Sequence, residues 1–140
     1  MPPPTPCSVD IIFVLDRSSS INSSNFDLMK SFLSSLVSRL DVDSGNTRVG
    51  LVTYSTNVET AFNLSAHSSV ASVQSAIDSL TYSAGSDTNT AAALAHVRST
   101  MLTSAAGDRS NVPNVVVVLT VGKSNTATTT QVRINDVGRI

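Results

Sequence analysis

The chain contains few of the residues that build thiolate, aromatic or strongly charged sites. Among its 140 residues there is one Cys and no Trp, and only 4% are aromatic. A single Cys excludes an internal disulfide framework and a zinc site made of four thiolates. Charged residues amount to 14%, compared with about 25% in typical domains. With a net charge of −1, the sequence lacks the basic character that nucleic-acid binding requires.

Long apolar runs are also absent. No run approaches the roughly 20 residues of a membrane span, so we expect no membrane insertion. Residues 1–6, Met-Pro-Pro-Pro-Thr-Pro, lack the basic and apolar regions of a signal peptide. They are typical of a polyproline II lead-in, and we assign residues 7–140 to a single domain, as the length favours.

Hydroxyl side chains are abundant, with 24 Ser and 15 Thr, but the apolar residues still form organised clusters that argue against disorder. Residues 11–15, 49–54 and 115–119 are largely apolar runs that predict buried strands. Residues 58–64 alternate between apolar and polar or small side chains, the pattern of an edge strand. Because only three or four residues separate it from the preceding strand, we expect these two strands to be antiparallel.

Three segments have helical periodicity. Apolar residues recur at intervals of three and four from Phe26 to Leu40 and from Val70 to Leu80, and residues 90–102 are Ala-rich. Ser24 and Asp27 resemble a capping box at the start of the first helix. The order β-α-β-β-α-α-β predicts an α/β fold: a doubly wound, mostly parallel sheet with helices on both faces and one antiparallel edge strand.

The apolar pattern fades after residue 130, and we predict no further strand there. The strand at residues 115–119 would then pair with one neighbouring strand, although its apolar character is typical of a central strand with a neighbour on each side. We therefore expect a domain that is incomplete at its C-terminal end, marginally stable and able to self-associate through the exposed strand edge.

One polar loop carries a possible metal site. Asp16, Ser18 and Ser20 form the pattern D-x-S-x-S directly after the first buried strand, where doubly wound sheets place their ligands. Oxygen ligands suit Mg²⁺, Ca²⁺ or Mn²⁺ rather than zinc or copper. Neutral hydroxyls leave most of the ion's charge uncompensated, so the ion would attract a carboxylate from a partner. The alternative is a Ser-rich loop that only caps the next helix.

Three segments in order resemble the von Willebrand factor type A domain. The first strand and loop, VDIIFVLDRSSSI, resemble its opening, and GSDTNTA at residues 85–91 resembles its Gly-rich loop with T-x-T. The last apolar strand leads into Thr120-Val121-Gly122, where the family has T-D-G. The resemblance covers residues 7 to about 130. Within the family, this sequence is similar to the extracellular-matrix branch, as in matrilins and collagen VI. It implies Thr88 as a metal ligand and a hydrophobic Val121 in place of a metal-site Asp.

The resemblance implies a secreted, non-enzymatic adhesion module that forms part of a larger extracellular protein. Its metal-ion-dependent adhesion site would hold Mg²⁺, Mn²⁺ or Ca²⁺ on Asp16, Ser18, Ser20 and Thr88. The partners implied are extracellular matrix proteins such as collagen, bound through a partner carboxylate. Because Val121 removes a charge, we expect weak metal binding. The alternative is a structural matrix module that binds its partners without metal.

Other sequence features relate to enzyme motifs, thiol sites and glycosylation sites. Gly122-Lys123-Ser124 ends like a P-loop, but the Gly required five positions earlier is Val117. His67 and His96 occur without the G-x-S-x-G elbow of a serine hydrolase. Cys7 is either a buried structural residue or a free or intermolecular thiol. Asn22 and Asn63 each begin an N-x-S glycosylation sequon.

Overall fold

The computed structural model describes residues 8–18, 21–83, 85, 90–121 and 130–136, and it gives no side-chain detail for Thr90, Thr120, Val121 or residues 130–136. Five strands form one sheet in the order β3-β2-β1-β4-β5. The strands are β1 (Val9–Asp16), β2 (Thr47–Tyr54), β3 (Val58–Phe62), β4 (Asn114–Val121) and β5 (Thr130–Asp136). The helices are α1 (Ser23–Val37), α2 (Val70–Asp78) and α3 (Thr90–His96), the last continuing as a π-helical turn (Val97–Met101); a short 3₁₀ helix (Ser104–Ala106) follows.

The three central strands are parallel, and both edge strands are antiparallel to their neighbours. β1 pairs with β2 and with β4 in parallel, while β3 pairs antiparallel with β2 as its short connection predicted. This confirms the doubly wound α/β fold with a mostly parallel core. The expectation of a single antiparallel edge strand is wrong, because β5 pairs antiparallel with β4 at the opposite edge.

The prediction that no strand follows residue 130 is also wrong. In β5, Val132 and Ile134 alternate with polar residues, and this two-residue period is that of an edge strand rather than of a buried run. β4 therefore lies between β1 and β5, and its register with β5 runs from Val115–Asp136 to Val121–Thr130. β4 is thus paired on both sides and has no open edge of the kind from which self-association was expected.

Each face of the sheet is covered by helices, as expected. On one face, Phe13 and Leu15 of β1 pack beneath α1 and α2. On the other face, Ile12 and Val14 pack beneath α3 and its π-helical extension. The alternation of side chains along β1 divides the core into these two layers, which explains why residues 11–15 are apolar without interruption.

The N-cap of helix α1 lies two residues earlier than the capping-box prediction implied. Its N-cap is Asn22, whose Oδ1 accepts a hydrogen bond of 2.8 Å from the backbone N–H of Asn25. Ser24 lies inside the helix, so the predicted Ser24–Asp27 box does not form the cap. Asn and Ser are comparable N-cap residues, and only the backbone path selects between them.

A buried ion pair fixes the edge of the sheet at the amino ends of the parallel strands. Asp10 is fully buried in β1, and its Oδ1 lies 2.7 Å from Nη2 of Arg109. The same guanidinium donates to the carbonyls of Val9, Gly45 and Asn46. Arg109 thereby joins the segment before β4 to β1 and to the turn before β2.

Within the described part of the chain, no helix is both long enough and apolar enough to cross a membrane.

Candidate functional site

The candidate site begins where β1 ends. Asp16 is the last residue of β1 and is fully buried, and Ser18 is 1% exposed. The backbone N–H of Ser18 donates a hydrogen bond of 2.8 Å to Oδ1 of Asp16. Both residues make further contacts as well. The loop therefore folds back on the carboxylate of Asp16, which fixes the position of a negative charge at the carboxyl edge of the sheet.

The segment after α2 is held against this loop. Ser18 and Gly85 form a parallel backbone bridge, and the Tyr82 hydroxyl lies 3.5 Å from the Ser18 carbonyl oxygen. The Ser83 hydroxyl lies 3.4 Å from the carbonyl oxygen of Arg17. The structure therefore brings two of the three signature segments, separated by more than sixty positions in the sequence, into direct contact.

Packing explains why a glycine occupies position 85. A Cβ built on Gly85 would lie 2.1 Å from Oγ and 2.4 Å from Cβ of Ser55, which follows β2 and is 6% exposed. Only a residue without a side chain can approach Ser55 so closely. Sequence analysis named the Gly-rich loop but missed Ser55. The signal in the sequence that could have indicated Ser55 is a small polar residue immediately after the buried strand β2.

Contacts with α1 hold the end of α2 and the residues that follow it, close to the loop after β1. Lys30 of α1 donates from Nζ to the carbonyls of Asp78 and Leu80 at 3.0 and 2.9 Å. Tyr82 packs on Phe26 of α1 with ring centroids 5.7 Å apart. These contacts between α1 and the end of α2 help to hold Tyr82 and Ser83 against the loop after β1.

The remaining predicted site residues lie partly outside the described structure. Ser20 and Thr88 are among the residues that are not described, and so is the Gly122-Lys123-Ser124 motif. Val121 ends β4, and its side chain is not described. The register pairs Leu15 of β1 with Leu119 of β4. The backbones of these strands therefore end at the same edge of the sheet.

A cation already lies beside the loop, but a carboxylate balances it. Arg17 lies between Asp16 and Ser18 in the sequence, and its Nη2 contacts Oε2 of Glu59 in β3 at 2.6 Å. The Arg17 side chain is 14% exposed and that of Glu59 is 60% exposed. Without Glu59, the Arg17 charge would oppose a metal ion at Asp16. Sequence analysis did not identify this ion pair, because the partners are 42 positions apart.

The ligand chemistry available here is that of hydroxyls around one carboxylate. In the ranges that the structure describes, no three His, Cys, Asp or Glu side chains cluster as a metal site. This disfavours a zinc site of the His and Cys type in that part of the chain. Hard oxygen donors such as a carboxylate or a hydroxyl, the groups that Asp16 and Ser18 carry, suit Mg²⁺, Mn²⁺ or Ca²⁺.

The two histidines lie away from this loop and have structural partners. Nε2 of His96 is 2.7 Å from the hydroxyl of Thr60 in β3. Nδ1 of His67 hydrogen-bonds to the hydroxyl of Ser72, and its ring packs edge-on against Phe62. Among the described side chains, no carboxylate bonds to His67, so the third member of a hydrolase triad is missing from that part.

Comparison with known proteins identifies one matching family and several relatives. The family description "von Willebrand factor type A domain" matches residues 10–139. The chain is 44% identical over 118 residues to the collagen alpha-4(VI) chain of Mus musculus. The matched stretch covers 83% of this chain and 5% of that protein. It is 35% identical over 116 residues to vitrin of Mus musculus, covering 83% of this chain and 18% of vitrin. The chain therefore spans less than a fifth of each of these relatives.

Solved structures show the same architecture. Proximal thread matrix protein 1 from the mussel byssus superposes with a TM-score of 0.79 at 30% identity, over 86% of this chain and 32% of that chain. Another structure of that protein, with a zinc-occupied MIDAS motif, gives a TM-score of 0.78 at 30% identity. That superposition covers 88% of this chain and 33% of the other.

Proposed function

Because the chain belongs to the von Willebrand factor type A family, we propose that it is a non-enzymatic adhesion module of the extracellular matrix with a divalent metal ion at the carboxyl edge of its sheet. Asp16, Ser18, Ser20 and Thr88 are the proposed ligands. The partners are matrix proteins such as collagens, which supply a carboxylate to the ion. Relatives that are named as collagens and a thread matrix protein support the matrix setting.

The observation that carries this proposal is the bridge between Ser18 and Gly85. It joins the D-x-S-x-S loop to the segment that leads to Thr88. Thr88 follows Gly85 by three positions in the sequence. The buried carboxylate of Asp16 lies beside the same bridge. This supports a single site rather than a Ser-rich loop that only caps a helix.

The choice of ion follows from the ligands. One carboxylate and three hydroxyls give little charge to offset the removal of water from Mg²⁺, so we expect weak binding. Zn²⁺ in general binds a given site more tightly than Mn²⁺ does. The mussel protein, whose MIDAS motif has been seen with zinc, supports including that ion in the test.

The test is a calorimetric titration of the full chain with Mg²⁺, Mn²⁺ and Zn²⁺. Asp16→Asn keeps the size of the side chain and removes its charge, and we expect it to weaken binding of each ion at least tenfold. Asp27→Asn on the exposed side of α1 is the matched control and should bind as the parent does. If Asp16→Asn binds the ions as tightly as the parent, the metal site is not at Asp16.

A second candidate function is a structural matrix module that binds partners without metal. Val121, at the position where the family has a metal-site Asp, favours it. The two functions differ in the effect of a chelator on binding to a collagen-coated surface. Adhesion through the metal predicts that EDTA abolishes binding and that Asp16→Asn has the same effect. Binding that EDTA and Asp16→Asn leave unchanged would support the metal-independent module.

A further inference from the structure

Asn22 combines a glycosylation sequon with an exposed position at the N-cap of α1. The sequence Asn22-Ser23-Ser24 is a sequon, and all three residues are exposed at the start of α1. Oδ1 of Asn22 accepts the N–H of Asn25 as the helix cap. Nδ2 has no hydrogen-bond partner in the described part of the chain. The cap uses only the oxygen, so a substituent on Nδ2 leaves it intact.

The second sequon has a less favourable setting. Asn63 is half-buried, and Leu64 in the middle of the sequon is fully buried. The backbone of Ser65 packs closely against Gly107, because a Cβ on Gly107 would lie 2.5 Å from the Ser65 nitrogen. A glycan is a bulky surface group and needs an acceptor that points into solvent. Of the two sequons, the one at Asn22 meets this condition better.

We propose that Asn22 is an acceptor for an N-linked glycan when the chain enters the secretory pathway. The donor is an oligosaccharide carried on a polyprenyl diphosphate. Nδ2 of Asn22 attacks the anomeric carbon of the first sugar, and a carbon–nitrogen bond forms. The bond between that carbon and the diphosphate oxygen breaks, the polyprenyl diphosphate leaves, and Nδ2 loses one proton.

The glycan would lie next to the candidate metal site. Ile21, the residue before Asn22, donates from its backbone N–H to the carbonyl of Ser18 at 3.0 Å. Carbohydrate attached one residue further on restricts the approach of a large partner to the loop after β1. The modification itself does not depend on the proposed metal site, so the two can be tested separately.

The test is secretion of the full chain from mammalian cells behind a heterologous signal peptide, followed by peptide mapping with mass spectrometry. We expect the parent to carry a glycan on the peptide that contains Asn22, released by peptide N-glycosidase with conversion of Asn22 to Asp. Ser24→Ala should lose this glycan while it keeps the helix cap. Ser23→Ala is the matched control, because it changes an exposed neighbouring serine, preserves the sequon and should retain the glycan.

A further variant keeps the inference testable if Ser24→Ala is secreted poorly. Asn22→Asp retains an oxygen that can accept the N–H of Asn25, because Asp and Asn are comparable N-cap residues, but it has no acceptor nitrogen. It should be secreted without the glycan at this position. Secretion of a folded parent chain with Asn22 unmodified, or with a glycan on Asn63 alone, would overturn the proposal.

Discussion

At the residue scale, the charge of a single side chain decides how strongly the candidate site can hold an ion. A carboxylate about 5 Å from a divalent ion contributes a gross attraction of about 6 kcal/mol at an effective dielectric of about 20. Val121 contributes no such charge at the end of β4. The fully buried Asp16 thus supplies the negative charge of the proposed ligand set.

Restoring the missing acid should strengthen metal binding. We expect Val121→Asp to bind Mg²⁺ and Mn²⁺ at least tenfold more tightly than the parent, about 1.4 kcal/mol, with solvation reducing the gross attraction to this value. Val121→Asn, of similar shape but without charge, is the control. Calorimetry measures both. An affinity for the Asp variant equal to that of the Asn variant would show that charge at this position does not govern binding.

Also at the residue scale, Arg109 should be important for stability. Its guanidinium neutralises the fully buried Asp10 and satisfies three carbonyls. Arg109→Met leaves that buried carboxylate without its counter-charge, with the backbone N–H of residue 109 still donating to Oδ2, and we expect a loss of about 3–5 kcal/mol in the free energy of unfolding. Arg109→Lys should not restore the loss, because an ammonium cannot reproduce the fork of donors.

Urea denaturation measures this effect, and a double-mutant cycle with Asp10→Asn checks its cause. Once the Asp10 carboxylate is an amide, Arg109→Met removes no charge partner and should cost much less. If Arg109→Met destabilises the parent and the Asp10→Asn chain equally, the ion pair is not the source of the stability.

At the scale of elements, the close contact between the Gly-rich segment and the end of β2 should control the site. In Gly85→Ala the new Cβ collides with Ser55, so we expect Gly85 to shift and its bridge to Ser18 to weaken. We expect Mn²⁺ affinity to fall at least tenfold and stability to fall by about 1–3 kcal/mol, the usual range for overpacking.

A compensating change tests whether the collision is the cause. Ser55→Gly removes both atoms that the new Cβ would meet. The double variant Gly85→Ala with Ser55→Gly should therefore regain much of the Mn²⁺ affinity lost in Gly85→Ala, relative to Ser55→Gly alone. A double variant that binds no better than Gly85→Ala would contradict this account.

At the scale of the whole molecule, β5 closes a sheet that the apolar pattern leaves open. A chain shortened to end at Val121 loses the antiparallel ladder from Val115 to Val121 and exposes the edge of β4. Because open edges of apolar strands pair with other chains, we expect association that increases with protein concentration. Analytical ultracentrifugation measures it. A chain that ends at Asp136 retains β5 and is the control; equal association of both chains would show that β5 does not protect β4.

The sequence by itself determined the elements whose pattern is set by burial. Largely apolar runs identified β1, β2 and β4, and helical periodicity identified α1, α2 and α3, because buried strands and amphipathic helices have different repeats. The alternation in β3 and its short link to β2 also identified an antiparallel edge strand. The order of these elements was sufficient to predict the doubly wound fold. The D-x-S-x-S pattern directly after the first strand was sufficient to predict Asp16 and Ser18 at the edge of the sheet.

The tertiary structure alone decided the features that join distant parts of the chain. The bridge from Ser18 to Gly85, the contact of Gly85 with Ser55 and the pairing of Arg17 with Glu59 leave no periodic signal, because each depends on where two loops or strands meet in space. β5 was missed for a related reason. A short edge strand with two alternating apolar residues has too weak a pattern, and only its pairing with β4 establishes it.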